Sequence, residues 1–253
     1  MDWTEIFATE VAIVSDIHGN REAYEAILAD LEENPVDAVV YAGDYALFGD
    51  RPAEVVKLVR RSGAPAIVGN TDEYVVEASK GPISEWTRAR LHEDDLRWIV
   101  RLPFGCWIRP AVDSTDVESL ALVHATPADV EATLILDEDP FGDRELTPAE
   151  DARAMMAGLR ANLVVHGHIH LAQQGEIDGQ RVASVGSVGF PFDGDQRAAY
   201  AVARFEDGNW TLEHRRVAYD FTSVANRIAD SATPLCLARA ERIRQARALP
   251  LEE

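Results

Sequence analysis

The chain has little that could stabilise a fold from outside its own core. Its two cysteines, Cys106 and Cys236, stand far apart and form no Cys-x-x-Cys pair. A disulfide framework and a thiolate zinc site are therefore both excluded, and two buried thiols in a reducing compartment are expected. No apolar run approaches the roughly 20 residues of a membrane span. Asp2, Glu5 and Glu10 precede the first basic residue, Arg21, which is the reverse of a signal or transit peptide. Positive charge is scarce throughout, with 24 Lys and Arg against 44 Asp and Glu, a net charge of −20. Long nucleic acids and anionic membranes need basic patches, so neither is an expected partner. A soluble, cytoplasmic protein is expected instead. A small phosphorylated ligand stays open, because a bound metal ion can invert the local field.

What is present is a core of ordinary size. The 253 residues are 47% hydrophobic and contain no repeat, linker or low-complexity tract, which predicts a single domain over 1–253. Val11–Val14 reads as a buried strand that runs straight into Ser15-Asp16-Ile17-His18-Gly19. Asn20 is a good N-cap for the helix that follows, which Asn34-Pro35 ends. Asp37–Tyr41 reads as a second strand, ending in Gly43-Asp44. Pro52 opens a helix closed by Gly63, and Ala64–Val68 reads as a third strand, ending in Gly69-Asn70. This β-α-β-α-β order predicts an α/β fold with a mostly parallel start to its sheet. Residues 72–101 read as helical, with Trp86 and Trp98 as packing aromatics. Strands are expected at Phe104–Arg109 and Ser119–His124, a solvated acidic loop or, as the lesser reading, a substrate lid at 137–151, and a helix from Thr147-Pro148 to Arg160. Asn162–Val165 is a strand that runs into His166-Gly167-His168-Ile169-His170. Three more strands, flanked by turns at Asp178-Gly179 and Asp207-Gly208, and two amphipathic segments after Tyr219, expected to cover one sheet, complete the chain.

In open α/β sheets, functional groups collect beyond the carboxyl ends of the strands. The polar residues at those ends are Asp16, His18, Asp44, Asn70, His124, His168 and His170. Read as extended backbone, Asp16 and His18 project to one side and can converge. Seven oxygen and nitrogen donors with no thiolate suit divalent Mn, Fe, Zn, Co or Ni, with Mn favoured. One ion would leave donors unused, so two are expected, with a bridging carboxylate. Paired ions roughly 3.5–4 Å apart suit phosphoryl chemistry. Four positive charges from the ions exceed the two carboxylates, so the cluster stays cationic enough to attract phosphate. His166 falls on the alternate side of its strand and reads as packing or as support behind the ligands; His92 and His214 read as surface residues. Asn20 serves as a helix cap or a substrate contact, and Arg51 and Arg197 as surface ion pairs or phosphate clamps.

The order Asp16-x-His18, Gly43-Asp44, Gly69-Asn70, His124 and Gly167-His168-Ile169-His170 resembles that of the calcineurin-like metallophosphoesterases. The stretch 183–202 resembles their small bacterial and archaeal phosphodiesterase branch. The resemblance implies a four-layer α-β-β-α sandwich with two mixed central sheets and a dinuclear centre. It assigns Asp16, His18 and His170 to one metal, Asn70, His124 and His168 to the other, and Asp44 to the bridge. A hydroxide between the ions would attack phosphorus in line with the leaving group. The sequence departs from the family at one place: where many members carry a histidine after Gly-Asn, Thr71 stands here. A hydroxyl is a poor proton donor near neutral pH. Two functions follow. One is a phosphoesterase for leaving groups that need little protonation, with Thr71 among its substrate contacts. The other is a scaffold on the same fold with little turnover.

Overall fold

In the computed structural model, which describes residues 2–251, two mixed sheets lie face to face. The larger has six strands in the order β1 (Trp3–Phe7), β4 (Gly105–Arg109), β5 (Leu120–Val123), β6 (Leu163–His166), β8 (Gln180–Val185) and β7 (Ala172–Ile177). The smaller has four, in the order β10 (Asn209–Val217), β9 (Ala198–Glu206), β2 (Glu10–Val14) and β3 (Ala38–Tyr41). Alternation along the strands divides the apolar residues between two faces. From β2 and β9, Val11, Ile13, Ala201 and Ala203 meet Cys106, Ile108, Leu122 and Val165 of the larger sheet in a dry core between the sheets.

On the outer face of the small sheet, Ala12, Val14, Tyr41 and Tyr200 pack against α1 (Arg21–Glu33) and α2 (Pro52–Ser62). The outer face of the large sheet carries a thinner cover. There Ala152 and Met156, in and just after α6 (Ala149–Met155), press on Val123, Val164 and Val182. This is the expected four-layer α-β-β-α sandwich.

Local signals behave as their chemistry dictates. The Asn20 side chain accepts from Ala23 N at 3.3 Å and caps α1, and Gly63 ends α2 with φ of 69°. The differences are instructive. Ala64–Val68 makes a single bridge, Ala66 to Tyr41, because Pro65 has no N–H to give and Val68 turns away to donate to Pro103 O. The helical stretch 72–101 is three short helices, α3 (Asn70–Glu77), α4 (Pro82–Arg88) and α5 (Glu93–Ile99), broken at Gly81 (φ 67°) and before His92, which caps α5. The helix expected to reach Arg160 stops at Met155, since Ala157 and Gly158 turn left-handed.

The last two helices, α7 (Phe221–Ala229) and α8 (Cys236–Gln245), cover no sheet face. They pack Val224, Ile228, Ala240 and Ile243 onto Ile169, Leu171, Phe190 and Phe192, which lie in loops at the strand ends. Cys106 is buried as expected, but Cys236 is only half-buried. Among the described residues, no helix is long and apolar enough to cross a membrane.

Candidate metal centre

The seven strand-end donors come together at one end of the sandwich, but not by strand alternation. Asp16, His18, Asp44, His168 and His170 all have positive φ, between 50° and 64°. Left-handed backbone costs a residue other than glycine on the order of 1–3 kcal/mol, so the surrounding bonds must hold each one in place. Asp16 N, His18 N and Gly19 N donate to the carbonyls of Gly43, Asp44 and Tyr45 and zip the first two ligand turns together. The buried Asp72 carboxylate ties down the third, accepting from Asp44 N (2.8 Å), Tyr45 N (3.1 Å) and Gly69 N (2.9 Å). Two glycines permit the closest approaches. A Cβ on Gly69 would lie 2.2 Å from Asp44 Oδ1, and one on Gly167 would lie 2.0 Å from Ser15 Oγ.

The donors fall into two groups, Asp16 with His18 and His170, and Asp44 with His124 and His168; within each, the candidate ligand atoms lie within 4.8 Å of one another. Asp16 Oδ2 accepts from Ser15 Oγ (2.6 Å) and His168 N (2.9 Å), whereas buried Asp16 Oδ1 has no hydrogen-bond partner. His18 Nδ1 donates to Leu47 O (3.0 Å) and His170 Nδ1 to Phe190 O (2.5 Å), which orients both rings. Their Nε2 atoms then face each other across 3.0 Å. Burial pushes the His170 imidazole down, against the pull of Asp16, whose Oδ1 lies 3.2 Å from His170 Nε2. Two ring nitrogens brought this close, beside a carboxylate, are placed to share one cation. Asp44 spans the groups, with Oδ2 3.5 Å from His18 Nε2 and Oδ1 3.4 Å from His124 Nε2. Asn70 Oδ1 lies 3.0 Å from His124 Nε2 and 3.1 Å from His168 Nδ1.

Charge tells the same story. Burial pushes the Asp16 carboxyl up, yet His170 and His18 outweigh it and hold the group well below the usual carboxylate range. Burial likewise opposes charge on His124, but Asp44 and Asp16 raise the imidazole to about 10. Two buried carboxylates thus demand positive charge, which a proton on His124 supplies when no ion is bound. The all-oxygen-and-nitrogen set, the orphaned Asp16 oxygen and the facing imidazoles fit divalent metal ions.

Residues 10–208 match the calcineurin-like phosphoesterase superfamily domain. The chain belongs to that superfamily. A relative, MJ0912 of Methanocaldococcus jannaschii, is 26% identical over 239 residues, covering 88% of this chain and 93% of its own. The fold is shared with a metallophosphoesterase from Sphaerobacter thermophilus (24% identity, TM-score 0.72, 94% of this chain and 99% of that one). It is also shared with protein PH1004 from Pyrococcus horikoshii (17%, TM-score 0.73, 92% and 97%).

The remaining candidates of this phosphoesterase-fold chain do not all reach the site. Asn20 is fully buried and spent on structure: besides capping α1, its Nδ2 donates to Gly189 O (2.9 Å) and Tyr219 Oη (3.2 Å). Arg51 faces Glu22 and Glu54, and Arg197 forms an exposed pair with Asp195, so both take the ion-pair role. Thr71 does stand beside the ligands: its N donates to Asp44 Oδ1 (2.9 Å), and its buried Oγ1 has no partner.

His166 is buried and neutral, pushed down to about 4 by desolvation, in agreement with a packing role. His92 is exposed, but His214 is not a free surface residue, since its Nε2 bonds Ser184 O at 2.8 Å. Sequence reasoning missed Asp72, which sits three residues after the Gly69 cap and accepts from Gly69 N, the acid's half of a capping box. It also missed Phe192, whose ring stacks on His170 with centroids 4.4 Å apart.

Proposed function

We propose that the protein is a hydrolase of phosphate esters that works with two divalent metal ions and acts on diesters or nucleotide-type substrates. The observation that carries this reading is Asp44, whose two carboxylate oxygens each face a different histidine, one in each donor group. Asp16, His18 and His170 would hold one ion, and Asn70, His124 and His168 the other. Bound there, the ions would polarise a phosphoryl oxygen and supply hydroxide at neutral pH.

The chain's own residues do the rest. Leu47 O and Phe190 O fix the tautomers of His18 and His170, and so aim their Nε2 lone pairs inward. Ser15 and His168 N leave Asp16 with one oxygen to offer. Thr71 presents a buried, unpartnered hydroxyl that can donate to a phosphoryl oxygen but cannot protonate a leaving group as an imidazole does. A missing general acid forfeits on the order of 10²–10⁴-fold in rate with poor leaving groups. This supports aryl esters, anhydrides or strained diesters as substrates over simple alkyl phosphates. The net charge of −20 supports a small phosphorylated substrate over a long nucleic acid, and two free cysteines support a cytoplasmic setting.

The same threonine supports the second reading, a regulatory scaffold with little turnover, although a complete donor set weighs against it. The test is hydrolysis of bis-p-nitrophenyl phosphate and p-nitrophenyl phosphate by metal-stripped protein resupplied with Mn²⁺, Ni²⁺, Zn²⁺ or Mg²⁺. Metal-dependent turnover that is lost in Asp44→Ala is expected, with the diester preferred. Two bound ions and no turnover with any metal would leave the scaffold.

A further inference from the structure

A costly buried charge lies outside residues 10–208. Arg239, on α8, is fully buried, and its guanidinium pairs with no carboxylate among the described residues. The neighbouring Asp50 is engaged by Arg227 of α7 instead, at 2.5 Å from Nε and 3.2 Å from Nη2. Arg239 Nη1 donates to Phe48 O, Nη2 donates to Thr233 Oγ1, and Nε has no partner at all. Burial pushes the guanidinium down to about 10. An unpaired buried charge is costly to the fold, and an apolar side chain of similar length would pack there with less loss. What it holds therefore matters.

Its acceptor, Phe48, is a non-glycine residue with φ of 83°, in the loop that wraps His18. Leu47 O, one residue before, accepts from His18 Nδ1 (3.0 Å). Gly49 N, one residue after, donates to His18 O (2.6 Å). The Phe48 ring itself lies 5.2 Å from the His18 ring, centroid to centroid. Every contact that sets the orientation of His18 from this side runs through three consecutive residues. The carbonyl in the middle of them is pinned by Arg239.

We infer that Arg239 is a positioning residue for the metal centre, acting through Phe48 to hold His18, so that the C-terminal helical pair completes the donor group of Asp16, His18 and His170. The inference rests on the metal-binding reading above. Loss of the outer partner of a metal-ligating histidine typically weakens metal binding by about 10–100-fold, and removing Arg239 frees the loop that presents that partner, Leu47 O. The loss falls on one ion, because among the described residues no hydrogen bond or ion pair joins His124, His168 or Asn70 to residues 47–49.

The experiment titrates metal-stripped full-length protein with Mn²⁺ by calorimetry. Electron paramagnetic resonance reports coupling between paired ions, and the melting temperature of each metal-free variant is recorded. The variants are Arg239→Met and, as a control, Thr233→Val, which removes the guanidinium's other acceptor without touching Phe48. The expected result is a wild type that binds two coupled ions. Arg239→Met should bind one of them about 10–100-fold more weakly with the coupling signal lost, while Thr233→Val keeps both.

If Arg239→Met does not fold, Arg239→Lys, which keeps the charge but not the fork, is expected to show a loss near the 10-fold end. Unchanged affinity for both ions in the folded arginine variant would overturn the inference. So would an equal loss of both ions that follows melting temperature in all variants, which marks a merely structural role. A wild type that binds no ion would instead refute the metal-binding reading itself.

Discussion

Gly167→Ala isolates the steric demand of the metal centre from its chemistry. Gly167 does not have positive φ, so alanine can adopt its backbone conformation and only the added Cβ matters. That carbon would lie 2.0 Å from Ser15 Oγ and 2.5 Å from Asp16 Oδ2, against the 3.4 Å at which ordinary contact begins. The serine hydroxyl can rotate away, but it then gives up its 2.6 Å bond to Asp16 Oδ2. The carboxylate must also retreat by about 0.9 Å to reach that 3.4 Å contact limit, which strains its 2.9 Å bond from His168 N.

A lost hydrogen bond to a charged group is worth about 1.5–3 kcal/mol. In a chain of this size that lowers the melting temperature by about 3–12 °C. Displacement of a reacting group by about 1 Å costs turnover on the order of 10²-fold. The assays are thermal unfolding of the metal-free protein and metal-saturated hydrolysis of bis-p-nitrophenyl phosphate. A variant with unchanged melting temperature and activity would refute the tight Gly167–Ser15–Asp16 packing as the cause of the Asp16 geometry.

Other outcomes follow from the same structure. Stripping the metal is expected to lower the melting temperature, since ligand at 100 times its Kd stabilises a fold by about 2.7 kcal/mol; a scan with and without chelator checks this. A chain with net charge −20 repels itself, so denaturation midpoints should rise as sodium chloride is raised from low concentration, and a midpoint independent of salt would contradict this. Burial raises the Cys106 thiol from 9.0 to about 12, so above pH 9 the unfolded chain loses a proton that the folded chain keeps. Stability should therefore fall from pH 9 upward, by at most about 1.4 kcal/mol per pH unit from this group, and Cys106→Val should flatten the start of that decline. Asp72→Asn should lower stability and metal-dependent turnover together. An amide replaces one of the oxygens that accept from Asp44 N, Tyr45 N and Gly69 N, and differential scanning calorimetry with the hydrolysis assay checks both effects.

Most of the architecture was legible because its signals are local and covalent. Asn20, Pro52 and Gly63 fix their helix ends through single-residue chemistry, and the apolar runs at Val11–Val14 and Leu163–Val165 have no competing reading as surface. The candidate donors were legible because all but Asn70 follow a buried strand, and Asn70 follows an apolar run that reads as one. The misses share a different cause. Whether Ala64–Val68 forms a strand depends on a donor that Pro65 lacks and on Pro103, far along the chain, capturing Val68. The route by which Asp16 and His18 converge depends on Gly43, Asp44 and Tyr45 carbonyls supplied by another turn. The fate of Asn20 depends on Tyr219, and the packing of α7 and α8 depends on loops that no periodicity describes. Long-range partners decide these points, and a single sequence does not state them.

The left-handed turns also bear on how such a protein changes over generations. Five of the donors sit in backbone that glycine or asparagine would occupy with less strain. A library of variants sorted for thermal stability alone would drift toward Gly or Asn at Asp16, His18, Asp44, His168 and His170. It would discard the metal centre while improving the scaffold. These turns are the place where this chain's stability and its chemistry are traded against each other.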